Sequence, residues 1–407
     1  MNTVVDMIID RTTPYQDADF LPHLFGPSFE KILRTGSSVV LFGTGSAGKN
    51  LLPIIRNHGV APVCFCDNNP VSTGQVFCGL PVLSFSQLTK DHRESLIVIT
   101  TNRYSREIRR QLLDAGFHGD RIFSVAHGPL VFFTHIDQWR WPREDLNAFQ
   151  DELEHTYTLL SDDKSKDLFI NRIALFAGGT DYQSFLKFIC KHSDLIGKFG
   201  FSPPSRSTDY ENFFYFNNDV VYLDNRETFV DVGAYDGDST EEFLASCKAR
   251  GKDYRKVFCF EPDTNNFSRL QAKMAQNRDV TCLSFGLWTH AASLNFESSD
   301  QIEEARSARV VSGGGARIQV DSLDHLLPNE TVTFIKMDVE GAECEALRGA
   351  SWIISRDKPK LAISVYHSRD DIFRIPLLVH EICPEYRLYL RLFSYGFTET
   401  VLLAIPA

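Results

Sequence analysis

The chain has 407 residues, 43% hydrophobic and 23% charged, the balance of a globular protein too long for one ordinary core. Its formal net charge of -11 repels nucleic acid and anionic membrane surfaces alike, so neither is expected as a partner. No apolar run reaches the roughly 20 residues of a membrane-spanning helix. The start MNTVVDMIIDRTT carries acids where a signal peptide carries bases, so no transmembrane segment and a cytoplasmic location are expected.

Residues 1–126 are read as a first domain with βαβ alternation. An apolar strand at 39–42 precedes Leu51, Leu52 and Ile55 at helical spacing, with further strands at 62–66, 96–101 and 121–125. Pro53 predicts a kink or a shortened helix. Residues 127–219 are read as a helical connector, since Leu146, Phe149, Leu153 and Tyr157 recur at steps of three and four; a loop with paired prolines ends it. From 220 to 407 strands return at 228–232, 257–261, 281–285, 332–338 and 361–366, and YRLYLRLF with TETVLLAIP predicts an added hairpin around Tyr395 and Gly396. The fold class expected is therefore α/β, two doubly wound domains joined by helices, the first of them Rossmann-like. SGGGA at 312–316 is read as a flexible loop. The nine cysteines are scattered and form no C-x-x-C pair, so free thiols are expected rather than disulfides or a zinc site.

Each domain opens with a glycine-bearing turn, and the two turns differ in charge. LFGTGSAGKN presents Gly43, Gly45, Ser46 and Gly48 without an acid, and Lys49 adds a positive charge, which suits a phosphate at a helix N-terminus. The P-loop pattern fails at Asn50, where Ser or Thr would hold magnesium. Asp67 follows at the offset where an acid meets a ribose in dinucleotide folds. Two readings stand: a nucleotide or nucleotide-sugar turn, or glycines that merely close a turn.

TFVDVGAYDGDST is the opposite case. Asp231, Asp236 and Asp238 crowd the turn and repel a pyrophosphate, so the site wants a cation or a diol. Glu261 ends the next strand, where a carboxylate accepts from both ribose hydroxyls. S-adenosylmethionine, with a ribose, a sulfonium and an ammonium, satisfies this inventory. The other reading makes the acids helix N-caps.

FVDVGAYDGDST, VFCFEPDTNNFSRL and FIKMDVEGAECEALRGA, in this order, resemble the FkbM-type S-adenosylmethionine-dependent methyltransferases over roughly residues 220–407. The resemblance implies a class I methyltransferase sheet of seven strands with the last antiparallel. It implies that Asp231, Gly233, Ala234, Tyr235, Asp236 and Gly237 form the first cofactor turn, that Glu261 with Pro262 holds the ribose, and that Gly286 and Leu287 flank the adenine. Residues 338–343 would end the fourth strand on the methyl-transfer side. One position departs from the family: an Arg-His pair before an aromatic is common there, whereas this chain has Arg391-Leu392-Phe393. The first domain resembles the small Rossmann-like nucleotide-sugar-binding domains of sugar-modifying enzymes.

The function implied is methyl transfer from S-adenosylmethionine to an acceptor hydroxyl on a sugar or glycosylated metabolite, in polysaccharide or secondary-metabolite biosynthesis. Such a displacement requires alignment and removal of a proton. His367 and Asp338 are the candidates, both at the carboxyl edge of the sheet; His367 is read as a base or as a strand-end cap, and Asp338 as its rival. Donor spacing around Asp338, Glu340, His367, Asp370 and Asp371 matches no metal motif, so no metal is expected. The alternatives are an NAD-dependent or nucleotide-sugar-modifying enzyme built on the first turn, and a binding module without turnover. None of the tyrosines precedes a Lys by four residues, which removes the Tyr-x-x-x-Lys subclass of the former.

Overall fold

The computed structural model describes residues 3–12, 29, 32–101, 104–124, 139–178, 182–194, 215–216, 218–297, 309–310, 316–394 and 399–407. The proline-rich loop at 200–214, the turn at Tyr395 and Gly396, and all but the last residue of SGGGA lie outside them. The chain divides into two compact units: Thr12–Arg140 with Gly178–Phe188, and Met1–Arg11 with Trp141–Ala177 and Ile189–Ala407.

The first unit holds strands β1 (Val39–Phe42), β2 (Pro62–Cys66), β3 (Val76–Phe77), β4 (Leu80–Leu83), β5 (Leu96–Ile99) and β6 (Ile122–Ser124), in the order β3-β4-β2-β1-β5-β6. All neighbours are parallel except β3 and β4. Along β1, Val39 and Leu41 enter one apolar cluster and Val40 and Phe42 enter another, so both faces of the sheet are covered. That double burial is why the strand is apolar throughout rather than alternating. The helix Ser46–Asn57 runs through Pro53 and buries Leu51, Leu52 and Ile55, so the expected shortening does not occur. The two-residue strand β3 gives no sequence signal of its own.

The second unit is built on β7 (Glu227–Val232), β8 (Tyr254–Phe260), β9 (Val280–Leu283), β14 (Phe334–Met337), β15 (Lys360–Ser364), β16 (Tyr386–Leu392) and β17 (Thr400–Pro406). Their order is β16-β17-β15-β14-β7-β8-β9. The pairs from β9 to β15 are parallel, while β17 runs antiparallel to both β15 and β16. Between β9 and β14 lies a second sheet absent from the sequence reading: β10 (Gly286–Leu287), β11 (Ala292–Glu297), β12 (Arg309–Val310) and β13 (Ala316–Asp321), ordered β10-β13-β11-β12.

Two boundaries differ from those expected. The helix Val4–Asp10, assigned by sequence to the first domain, packs in the second unit because its buried Val4, Val5 and Ile8 meet the helices Gln150–Leu159 and Asp163–Ala177. Those helices in turn cover the outer strand β16, where Arg391 is almost fully buried and ion-paired to Asp162 (2.7 Å) and Asp219 (2.8 Å). Most of the expected connector is thus part of the second unit. Leu392 is fully buried, so the position that departs from the resembled family is a core position in this chain.

Candidate active site

The turn after β7 is shaped by close approach. A Cβ on Gly233 would stand 1.9 Å from the Asp338 carbonyl oxygen, and Gly233 sits at φ +74, so only glycine lets this turn lie against the end of β14. The amides of Gly233 and Ala234 both donate to Phe260 O at 3.0 Å, tying the turn to β8. Gly237 (φ +91) starts the helix Asp238–Ala249 and faces Leu270 and Met274. Asp236 is half-buried, with Lys273 at 3.6 Å.

Beneath this turn lies a buried ion pair. Asp231 is 0% exposed, and its Oδ2 accepts from Ser239 Oγ (2.8 Å) and Thr240 Oγ1 (2.7 Å). The register of β14 on β7 sets Lys336 beside it, with Nζ 3.3 Å from Asp231 Oδ1. Nζ also donates to Gly233 O at 2.8 Å. Burial would lower the Lys336 pKa, but Asp231, Asp338 and Asp238 outweigh it and hold the ammonium firmly charged. Asp231, expected in direct contact with a cofactor, is enclosed under the turn and braces it through Lys336.

Glu261 leaves the end of β8 almost fully buried. Its Oε2 accepts from Tyr235 N and its Oε1 from Asp263 N, each at 2.9 Å, and the Asn266 side chain is a third donor to it, which leaves one of about four acceptor sites on the carboxylate open. Burial, only partly offset by these amides, pushes the carboxyl up to about 7. A buried carboxylate at that value is stabilised by any further donor. Gly286 lies close to Pro262, where an added Cβ would come 3.6 Å from Pro262 Cβ, while Leu287 is buried and pairs with Asp321 of β13.

On the other side of the turn, residues 338–343 wrap around a carboxylate. Glu343, 1% exposed, accepts from Val339 N (2.9 Å) and Gly341 N (3.1 Å), and its Oε1 also takes a hydrogen bond from His367 Nδ1 (2.8 Å). The opposite ring nitrogen, Nε2, lies 3.3 Å from Asp338 Oδ1 and 3.4 Å from Glu340 Oε2, without the alignment of a hydrogen bond to either. The Tyr366 hydroxyl donates toward Asp338 Oδ2 (3.2 Å) and Glu399 Oε1 (3.3 Å). Among the described residues, Asp338, Glu343 and His367 each bring one donor atom within 4.8 Å of the others.

Charges in this cluster are set by one another. Burial alone would lower His367, but Glu343, Asp338 and Glu340 outweigh it and push the imidazole up to about 10. The ring therefore carries its proton at neutral pH and is not free to act as the base expected from its position. Burial would raise Asp338, yet His367, Lys336 and the hydroxyls of Ser364 and Tyr366 hold its carboxyl below the usual range. Glu340 moves the other way: burial and the acids around it, against the pull of His367, push it up to about 8.

The first turn is a different object. Gly43 (φ +120) would bring a Cβ to 2.8 Å from Thr100 Oγ1, and Gly48 to 2.5 Å from Gly43 O, so both glycines are required sterically. Gly45 is the N-cap of the following helix, whose first residue is Ser46. Asp67 turns back onto this loop: Oδ2 accepts from Thr44 N (2.8 Å) and Thr44 Oγ1 (2.6 Å), and Oδ1 from Asn69 N (2.8 Å). The turn itself thus takes Oδ2 of the carboxylate expected to face a ribose, and Asn69 N takes one acceptor position on Oδ1.

Lys336 and Tyr366 were not among the sequence candidates, and Glu343 entered only as the end of the segment 338–343. A lysine inside the apolar run of β14 was the available signal, since a buried cation demands an acid beside it.

Residues 231–398 match the family described as Methyltransferase FkbM domain, and residues 36–123 match that described as C2185-like, N-terminal. The second unit thus carries an FkbM methyltransferase domain. No curated protein matches the chain. Among solved structures, the methyltransferase FkbM of Methylobacillus flagellatus is 20% identical, with 98% of this chain and 99% of that chain covered at a TM-score of 0.57, and shares the fold. An rRNA methylase of Streptococcus thermophilus (14% identity, 50% and 96% covered, TM-score 0.29) and the fibrillarin of Aeropyrum pernix with bound S-adenosyl-L-methionine (10%, 46% and 70%, TM-score 0.27) are more distant. FkbM methyltransferases use S-adenosylmethionine as methyl donor. Among the described residues, no helix is long and apolar enough to cross a membrane.

Proposed function

We propose that the second unit transfers a methyl group from S-adenosylmethionine to an acceptor hydroxyl, on a sugar or a glycosylated small molecule. The observation that carries this reading is Glu261: a buried strand-end carboxylate, pushed up to about 7 although two backbone amides and the Asn266 side chain already donate to it. A ribose hydroxyl supplies the further donor that such a buried carboxylate favours. The cofactor, when bound, supplies an electrophilic methyl group. Residues 233–237 would hold it by backbone approach, with Glu261 and Pro262 at the ribose and Gly286 and Leu287 toward the adenine.

The chain's own part is to align and to handle a proton. Asp338, kept ionised and next to Gly233 through its backbone, is the carboxylate positioned to orient an acceptor hydroxyl or take its proton. His367, held charged by three acids, stabilises that ionised state rather than acting as base. For residues 43–48 we propose a recognition turn for a phosphate-bearing group, supported by the acid-free segment and Lys49; a ribose contact through Asp67 is not part of this reading.

The test is S-adenosylhomocysteine release on a panel of saccharide acceptors, with wild type and Asp338→Asn. The reading expects turnover with at least one acceptor and its loss in the variant at nearly unchanged cofactor affinity. Equal turnover of both proteins would remove Asp338 from the chemistry.

A further inference from the structure

The cluster formed by residues 338–343 and His367 has one feature the methyltransferase reading does not use. His367 Nε2 is enclosed, its side chain 9% exposed, and has no hydrogen-bond partner, yet it is aimed between two carboxylates. A buried ring nitrogen in that position requires a ligand. We propose that His367 Nε2, Asp338 and Glu340 form a divalent-cation site, with Glu343 as the group that orients the imidazole.

Three observations support the site. The separations from Nε2 to Asp338 Oδ1 (3.3 Å) and Glu340 Oε2 (3.4 Å) are close to the spacing of adjacent donors on one ion; two donors each about 2.1 Å from a metal and at right angles lie about 3.0 Å apart. Glu343 accepts from Nδ1 and from two backbone amides, so the tautomer that leaves Nε2 for a ligand is fixed by a carboxylate that is itself fixed. This carboxylate–histidine–metal order is the usual outer support of imidazole ligands. Finally, three carboxyl groups face one imidazole, and a dication takes the place of the protons that His367 and Glu340 carry there.

One imidazole and two carboxylates favour Mn2+ over Ca2+, which prefers oxygen alone, and over the thiolate-rich zinc sites. Binding exchanges the protons on His367 Nε2 and on Glu340 for the ion, and both go to solvent. The ion's role rests on the methyltransferase reading: it lowers the pKa of an acceptor hydroxyl at the end of β14. The O–H bond then breaks with its proton passing to water, and an O–C bond forms as the methyl leaves sulfur, which departs as a thioether.

The experiment is Mn2+ titration of the full chain, followed by calorimetry and by electron spin echo modulation, with S-adenosylhomocysteine binding measured on the same sample. Expected are one ion per chain and modulation from a directly bound histidine nitrogen. Glu340→Gln and Glu343→Gln should each weaken Mn2+ binding by about tenfold or more while circular dichroism stays unchanged. Absence of saturable Mn2+ binding at millimolar concentration overturns the site, as does binding without nitrogen modulation. One-for-one displacement of Mn2+ by S-adenosylhomocysteine also overturns it, because the acids would then serve the cofactor's ammonium group. If S-adenosylhomocysteine binds and Mn2+ does not, only the ion fails. If Mn2+ binds and S-adenosylhomocysteine does not, the site stands and the methyltransferase reading fails.

Discussion

Two glycine-bearing turns leave parallel strands in this chain, and both need glycine for the same steric reason. In the turn at 43–48 the carboxylate that follows, Asp67, takes three donors, two from Thr44 and one from Asn69 N, and stays partly exposed. In the turn at 233–237 the carboxylate that follows, Glu261, also takes three donors, two amides and the Asn266 side chain, but it is almost fully buried, which pushes it up to about 7. Beneath the second turn, but not described beneath the first, a buried lysine and aspartate brace the backbone. Glycine spacing therefore reports how close two backbones come. What separates the two turns is how deeply the carboxylate that follows is buried and the ion pair beneath the second.

The largest effect expected from breaking this contrast is on the brace. Lys336→Met leaves Asp231 charged at 0% exposure, and stranding one member of a buried pair costs about 3–5 kcal/mol. Denaturant unfolding should show that loss, and a change below one kcal/mol would mean that the pair does not hold the turn. Gly233→Ala comes next: the added methyl meets Asp338 O, so cofactor affinity should fall on the order of tenfold or more, whereas Gly48→Ala should cost stability and leave that affinity alone. Calorimetry on both variants checks the difference.

A third test uses pH. Ribose hydroxyls donate to the ionised form of Glu261, so cofactor affinity should rise as pH increases through about 7 and level off above it. Stability runs the other way. A carboxyl raised from 4.5 to about 7 costs nothing while protonated in both states below 4.5; the cost grows between the two values and is complete above the higher one. Glu261→Gln should flatten both profiles, and an unchanged affinity profile would place the ribose elsewhere. The smallest effect belongs to the first turn: Thr44→Val should cost about 1 kcal/mol of stability in unfolding experiments and leave methyl-donor binding untouched.

Much of the fold was legible because parallel strands buried on both faces are apolar throughout, as Val39 to Phe42 and Val257 to Phe260 are. The hairpin of β16 and β17 was legible from two apolar runs about a turn. What escaped was set by contacts distant in sequence. The helix Val4–Asp10 joins the second unit through Val4, Val5 and Ile8, which any apolar partner would satisfy. The short strands β10 to β13 are stabilised by pairing across residues 286–321 rather than by local pattern. In the site, Glu261 was legible from strand-end spacing, but Asp231 was read as ligand-facing when Ser239, Thr240 and Lys336 enclose it. His367 was placed correctly at the sheet edge, and its charge state was not, since three acids from 338–343 converge on it only in the folded chain.

The central claim is that the second turn, not the first, holds the cofactor. Calorimetric titration of the full chain with S-adenosylhomocysteine, for wild type, Glu261→Gln and Asp67→Asn, tests it most directly. The account predicts one site per chain, weakened about tenfold or more by Glu261→Gln and unchanged by Asp67→Asn. Binding that survives Glu261→Gln and is lost in Asp67→Asn would contradict it.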